Sequence, residues 1–208
     1  PVFIQLFGQT ECPNFVTTLS KSDHLEDALL ASCGRPVVLA NVLVIGPDGE
    51  PRESGRVGEV EVFSPYVLVE YYQDPKATEA AFNCGWLRTG DLGYLDSGNY
   101  LYLVDRAKDM IISGGMNVYS ADVEGALRRH GAILDAAVLG MPDPDWGEAV
   151  VAFVTTRTRM SEAEVQAFAR LELSAYKTPK RVYFVDDLPV TQYGKVDKKA
   201  LRARLASI

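Results

Sequence analysis

The chain has 208 residues, with 21 Lys plus Arg against 28 Asp plus Glu and a net charge of −7. A composition of 47% hydrophobic and 24% charged residues is that of a folded globular protein and excludes wholesale disorder. The acidic balance excludes a general nucleic-acid binder, which needs a broad positive field to meet phosphates.

At roughly 100–200 residues per domain, one large or two small domains are expected. No apolar run reaches the roughly 18 residues of a membrane span, and the start lacks a secretory pattern. Cys12, Cys33 and Cys84 are far apart and form no CxxC, which excludes a disulfide framework and suits a reducing cytoplasm. The opening Pro1-Val2-Phe3-Ile4 has no Met and is already strand-like, so the sequence reads as a piece of something longer.

Val2 to Leu6 predicts a strand broken at Gly8, and Asp23 to Ser32 a weak helix with Leu25, Leu29 and Leu30 on one side. Val38–Ile45 and Glu59–Phe63 read as strands around the turn signals Pro47-Asp48-Gly49 and Gly55. Leu92–Leu95 and Tyr100–Val104 form a second hairpin through Asp96-Ser97-Gly98-Asn99. The rhythm changes after Asp105-Arg106-Ala107-Lys108-Asp109. Met110–Ile112 is a short strand ended by Ser113-Gly114-Gly115, and Ser120 caps a helix to about Arg129. Strands follow at Ala136–Leu139, Ala149–Thr155 and Arg181–Val185. Ser161-Glu162-Ala163-Glu164 is a capping box for a helix burying Val165, Phe168 and Ala169, and Asp197–Leu205 is a final cationic helix. The expected fold is mixed α/β, with barrel-like β hairpins before the charged joint near Lys108 and a small α+β domain after it.

Five short segments could carry chemistry. In Phe7-Gly8-Gln9-Thr10-Glu11, Gly8 allows close backbone approach, Thr10 can bond a phosphate oxygen and Glu11 can hold Mg²⁺; a plain capped loop is the alternative. In Gly85-Trp86-Leu87-Arg88-Thr89-Gly90-Asp91, Asp91 on a tight turn can accept both ribose hydroxyls or be a solvated turn residue. Arg106 and Lys108 lie on a joint that is either a linker or a swivel. Gly114-Gly115 is either a bend or a place where an extended ligand passes close to the backbone, and Trp146 is a turn aromatic or a stacking platform. Lys195 is part of a solvated cationic helix end or a mobile charge for a developing oxyanion. His24 and His130 have no nucleophile–base or metal-ligand spacing.

In this order, Phe7-Gly8-Gln9-Thr10-Glu11, Thr89-Gly90-Asp91, Asp105-Arg106-Ala107-Lys108-Asp109, Gly114-Gly115-Met116-Asn117 and Gly194-Lys195 resemble the adenylate-forming acyl-CoA synthetase family over essentially the whole chain. The resemblance implies a ligase that uses ATP to turn a fatty or aromatic carboxylate into an acyl-adenylate, then passes the acyl group to coenzyme A. It implies Glu11 as the Mg²⁺ ligand and Thr10 as a contact to the α-phosphate. Phe7, Gly8 and Gln9 then line the nucleotide and acyl side, Asp91 binds the ribose and Arg106 supports ribose or phosphates. It further implies Lys108 as the hinge, Gly114 and Gly115 beside the pantetheine channel, Trp146 against coenzyme A, and Lys195 bridging the carboxylate and the α-phosphate. Residues 1–107 are then the end of a large AMP-binding domain and 108–208 a small mobile C-terminal domain.

Two departures stand out. Lys108 occupies a hinge position that is often Asp, and the family's phosphate loop ending Pro-Lys-Gly is absent from these residues. The expectation is a C-terminal portion, inactive alone, whose partners are the carboxylate, ATP, coenzyme A and the rest of the enzyme. A domain loading a carrier protein and a non-catalytic nucleotide- or partner-binding module are the alternatives.

Overall fold

A computed structural model of the chain describes residues 2–205. Two compact units, Pro1–Ala107 and Lys108–Ile208, make up the chain. The first is built of antiparallel strands. β1 (Gln5–Gln9) and β2 (Cys12–Leu19) form a hairpin turned by Thr10 and Glu11, and β3 (Arg35–Pro36) pairs with β2. Gly8 therefore lies inside a strand and does not end one. The register slips between Phe7 and Gln9, an irregularity that a residue without a side chain accommodates. Where a helix is expected after Asp23, there are two single-turn 3-10 helices, Asp23–Leu25 and Asp27–Leu29. Neither has a side-chain cap, and Leu25 is 69% exposed, so no apolar face is buried to extend them.

The second sheet of this unit contains β4 (Asn41–Ile45) and β5 (Gly58–Phe63). After α1 (Pro75–Ala81) it continues with β6 (Phe82–Asn83), β7 (Trp86–Leu95) and β8 (Leu101–Arg106). Its order is β4-β5-β7-β6, with β8 also on β7. α1, which the periodicity does not signal, begins where Asp74 Oδ1 accepts from the Ala77 amide and Pro75 takes the first turn. Val42, Val60, Val62, Leu87 and Leu101 pack with Cys12 and Val16 of β2, so both sheets share one core. Burying each such Val or Leu contributes roughly 1.5–3 kcal/mol.

The chain passes into the second unit through a single 3-10 turn, Ala107–Asp109. β9 (Ile111–Ser113) and β10 (Met116–Val118) form a small hairpin, followed by α2 (Ser120–Arg128). β11 (Ile133–Asp143) and β12 (Gly147–Thr156) form a long hairpin, then come α3 (Glu162–Glu172), β13 (Arg181–Phe184) parallel to β12, and α4 (Lys198–Leu205). From Ala149 to Val154 β12 is continuously apolar because both its faces are covered there. Val150, Ala152 and Val154 pack with Val123 and Leu127 of α2 and Val165 and Ala169 of α3. Val151 and Phe153 pack with Leu201 of α4 and with Leu188, which precedes that helix. The capping box at Ser161 and Glu164 forms, and Ala169 and Val165 are buried while Phe168 is only half-buried, edge-on to His130. Ser120 is the first helical residue of α2 and not its cap; its hydroxyl instead accepts from Lys198 Nζ at 2.7 Å.

Candidate functional site

In the first unit, residues from three separate sequence segments meet on one wall. Asp91 is not on a tight turn but within β7, at a bulge. Opposite Glu59 to Glu61 of β5, β7 runs from Leu92 back to Arg88, and Gly90 absorbs the excess at φ +69°. Asp91 is 4% exposed. Its Oδ2 accepts from Gln9 Nε2 at 2.8 Å, and its Oδ1 lies 2.7 Å from Arg106 Nε across the β7–β8 pair. The second hydrogen of the Gln9 amide goes to the Thr89 carbonyl at 3.0 Å. Thr89 Oγ1 donates to the Val60 carbonyl and accepts from the Asp91 amide, which fixes the bulge. Phe7, Gly8, Gln9, Asp91, Asp105 and Arg106 line a cavity of about 420 Å³ beside this wall.

Gln9 also borders a second cavity of about 500 Å³, lined with Glu11, Glu59, Tyr71, Arg88 and Thr89. Tyr71 Oη donates to Glu11 Oε1 at 2.9 Å. Burial first, then this bond to a carboxylate, raises the Tyr71 hydroxyl above its ordinary pKa. No periodicity or motif marks Tyr71 in the sequence; only the fold brings it to Glu11. Burial also raises the Glu59 carboxyl, with Glu61 adding to the effect and Arg88 opposing it. Thr10 is exposed on the hairpin turn beside Glu11.

The donor chemistry here fits Mg²⁺ held against phosphates. Among the described residues no group of three or more His, Cys, Asp or Glu could form a metal cage. Mg²⁺ keeps several waters and is bound through one or two carboxylates plus substrate phosphates. Glu11, oriented by Tyr71, is a carboxylate of that kind.

In the second unit, Gly114 and Gly115 make the β9–β10 turn, both at positive φ (+58° and +76°). Trp146 lies in the β11–β12 turn and packs on Gly114. The Gly114 amide donates to the Trp146 carbonyl at 2.8 Å, and a Cβ on Gly114 would sit 3.0 Å from Trp146 Cε3. The indole is 41% exposed and carries Lys180 Nζ 4.3 Å from its ring centroid.

Lys195 is exposed, but it is not at a solvated cationic helix end. It closes a small turn in which the Thr191 amide donates to the Lys195 carbonyl at 2.7 Å and Gly194 takes φ +75°. Asp197 then caps α4 through the Ala200 amide. Two of the cations after it are engaged: Lys198 pairs with Glu124 at 2.8 Å and Arg202 with Asp109 at 2.8 Å. Lys108 is exposed within the 3-10 turn. The structure thus brings Phe7, Gly8, Gln9, Asp91 and Arg106 together, puts Glu11 in the adjoining cavity and sets Gly114 against Trp146.

Residues 122–195 match the family model described as the AMP-binding enzyme C-terminal domain. The medium/long-chain-fatty-acid–CoA ligase FadD8 of Mycobacterium tuberculosis is 43% identical over 98% of this chain and 37% of the relative. The o-succinylbenzoate CoA synthetase MenE of Bacillus subtilis, solved with the acyl-adenylate OSB-AMP, superposes at TM-score 0.86 and 36% identity, over 96% of this chain and 40% of that one. The same enzyme has been solved with ATP and a magnesium ion. The amide bond synthetase McbA of Marinactinospora thermotolerans matches at TM-score 0.84 and 39% identity, over 97% of this chain and 42% of its own. The chain spans about two fifths of the length of the relatives it matches. Among the described residues no helix is long and apolar enough to cross a membrane.

Proposed function

Because the chain belongs to the adenylate-forming, AMP-binding enzyme family, we propose that it forms part of an ATP-dependent acyl-CoA synthetase. The enzyme activates a fatty or aromatic carboxylate as acyl-AMP and transfers the acyl group to coenzyme A. The observation that carries this reading is the joining of Gln9, Asp91 and Arg106, up to 97 residues apart in sequence (106 − 9), on one cavity wall. A buried carboxylate braced by an amide and a guanidinium is a rigid acceptor for ribose hydroxyls.

In this reading Asp91 and Arg106 hold the ribose, while Phe7, Gly8 and Gln9 line the nucleotide and acyl side. Thr10 contacts the α-phosphate, and Glu11 holds Mg²⁺, which when bound neutralises phosphate charge. Lys195 brings the carboxylate and the α-phosphate together, where two anions would otherwise repel. Residues 1–107 complete a large AMP-binding domain. The small domain, 108–208, turns about Lys108 between the two half-reactions. Gly114, Gly115 and Trp146 then flank the pantetheine and coenzyme A. Removing such an electrostatic stabiliser typically costs about 10²–10³ in rate. In an enzyme that carries this chain, Lys195→Ala should therefore lower acyl-adenylate formation by that factor yet spare thioester formation from supplied acyl-adenylate. Equal loss of both steps overturns the assignment.

The likeness to an amide bond synthetase supports a second reading, in which the same adenylate meets an acceptor other than coenzyme A. Competition among coenzyme A, a carrier protein and an amine for the preformed adenylate separates the two.

A further inference from the structure

α4 is anchored at three points. Leu201 is fully buried among Leu139, Val151 and Phe153. Lys198 Nζ bonds Glu124 Oε1 at 2.8 Å and Ser120 Oγ at 2.7 Å. The third anchor is at the joint itself: Arg202 Nη2 donates to Asp109 Oδ1 at 2.8 Å and to the Lys108 carbonyl at 3.2 Å. The Asp109 side chain is 12% exposed and that of Arg202 42%.

The geometry has a specific kinematic effect. The peptide between Lys108 and Asp109 is planar, so the Lys108 carbonyl moves with the residues that follow it. Pinning that carbonyl and the next side chain to α4 removes slack downstream of the Lys108 Cα. The nearest torsions left to turn are φ and ψ of Lys108. At its other end α4 (Lys198–Leu205) is capped by Asp197, two residues after Lys195, whose carbonyl is held by the Thr191 amide at 2.7 Å.

We propose that Arg202 is a positioning residue that makes Lys108 the pivot and carries rotation there to Lys195 without slack. This inference rests on the roles proposed above for Lys108 and Lys195. A 1 Å misplacement of a catalytic group can cost about 10²-fold in rate.

The test uses Arg202→Ala and Arg202→Lys, with Lys195→Ala as the control. The Arg202 side chain is 42% exposed and water can reach the Asp109 oxygen it leaves, so the Arg202 variants should melt close to the parent. In Arg202→Ala, hydrogen exchange at the Asp109 and Met110 amides should quicken. In the enzyme that carries this chain, kcat for adenylation should fall by about 10–100-fold with KM for ATP unchanged. Arg202→Lys, which keeps the charge but loses the fork, should restore part of both. Unchanged exchange, or faster exchange with unchanged kcat, overturns the inference. If Lys195→Ala itself leaves adenylation intact, the functional assignment fails instead. Should Arg202→Ala fold poorly, Asp109→Asn weakens the same anchor without altering α4. It should give the same two effects, and an unaltered kcat would overturn the proposal.

Discussion

Arg106 Nε lies 2.7 Å from Asp91 Oδ1, and the two residues are direct cross-strand partners on β7 and β8. The pairing holds a nearly buried carboxylate in one orientation, with Gln9 bracing its other oxygen at 2.8 Å. Burying a charge is tolerated only where such partners offset the lost hydration. Two strand residues and a hairpin residue therefore act as one unit.

Asp91→Asn keeps the shape and removes the charge that Arg106 and Gln9 converge on. Loss of a charged hydrogen-bonding partner of this kind costs about 1.5–3 kcal/mol. ATP or AMP affinity measured by calorimetry should therefore weaken by about 10–100-fold. An unchanged Kd would remove Asp91 from the nucleotide site.

Tyr71→Phe deletes only the hydroxyl that donates to Glu11. Partners that orient a metal-ligating carboxylate typically matter by about 10–100-fold in metal affinity. The Mg²⁺ concentration that half-saturates nucleotide binding should rise accordingly, while affinity without Mg²⁺ stays the same. Equal weakening with and without Mg²⁺ would assign Tyr71 to packing alone.

Gly114→Ala meets two obstacles: φ of +58° and the indole of Trp146 at 3.0 Å. The backbone term alone costs roughly 1–2 kcal/mol. At Gly115, where φ is +76°, a Cβ would meet nothing within 4 Å, so Gly115→Ala carries only that term. Gly114→Ala should lower Tm further and shift Trp emission, and equal effects from both substitutions would show that Trp146 yields freely.

Glu59 titrates above its ordinary 4.5 because burial disfavours its charged form, with Glu61 adding to this and Arg88 opposing it. A carboxyl whose folded pKa is raised favours the folded state below its unfolded pKa, and that contribution is lost as pH rises through the folded value. Glu59→Gln should thus melt higher than the parent near pH 7, with the gap closing toward about pH 4. A gap that widens on acidification would mean that Arg88 outweighs burial.

Local signals were readable wherever a short stretch decides its own conformation. The Ser161–Glu164 box forms because its partners are three residues apart, and β12 is visible as an apolar run because helices cover both its faces. Pattern misleads where a distant partner decides. The run from Asp23 to Ser32 carries leucines at helical spacing, but Leu25 and Leu30 remain exposed and no α-helix forms. Asp91 looks like a turn residue because Gly90 precedes it, whereas pairing with β5 and β8 makes the same glycine a bulge.

By itself the sequence determined the order of the five motif segments, and with it the family and the change from β hairpins to an α+β unit near Lys108. Only the tertiary structure decided that Gln9 meets Asp91 across 82 positions, that Tyr71 orients Glu11, and that Arg202 ties α4 to the joint. Residue type and periodicity act over a few positions. Strand register, bulges and ion pairs between elements are set by which segments are buried against one another, and they exist only once the core has formed.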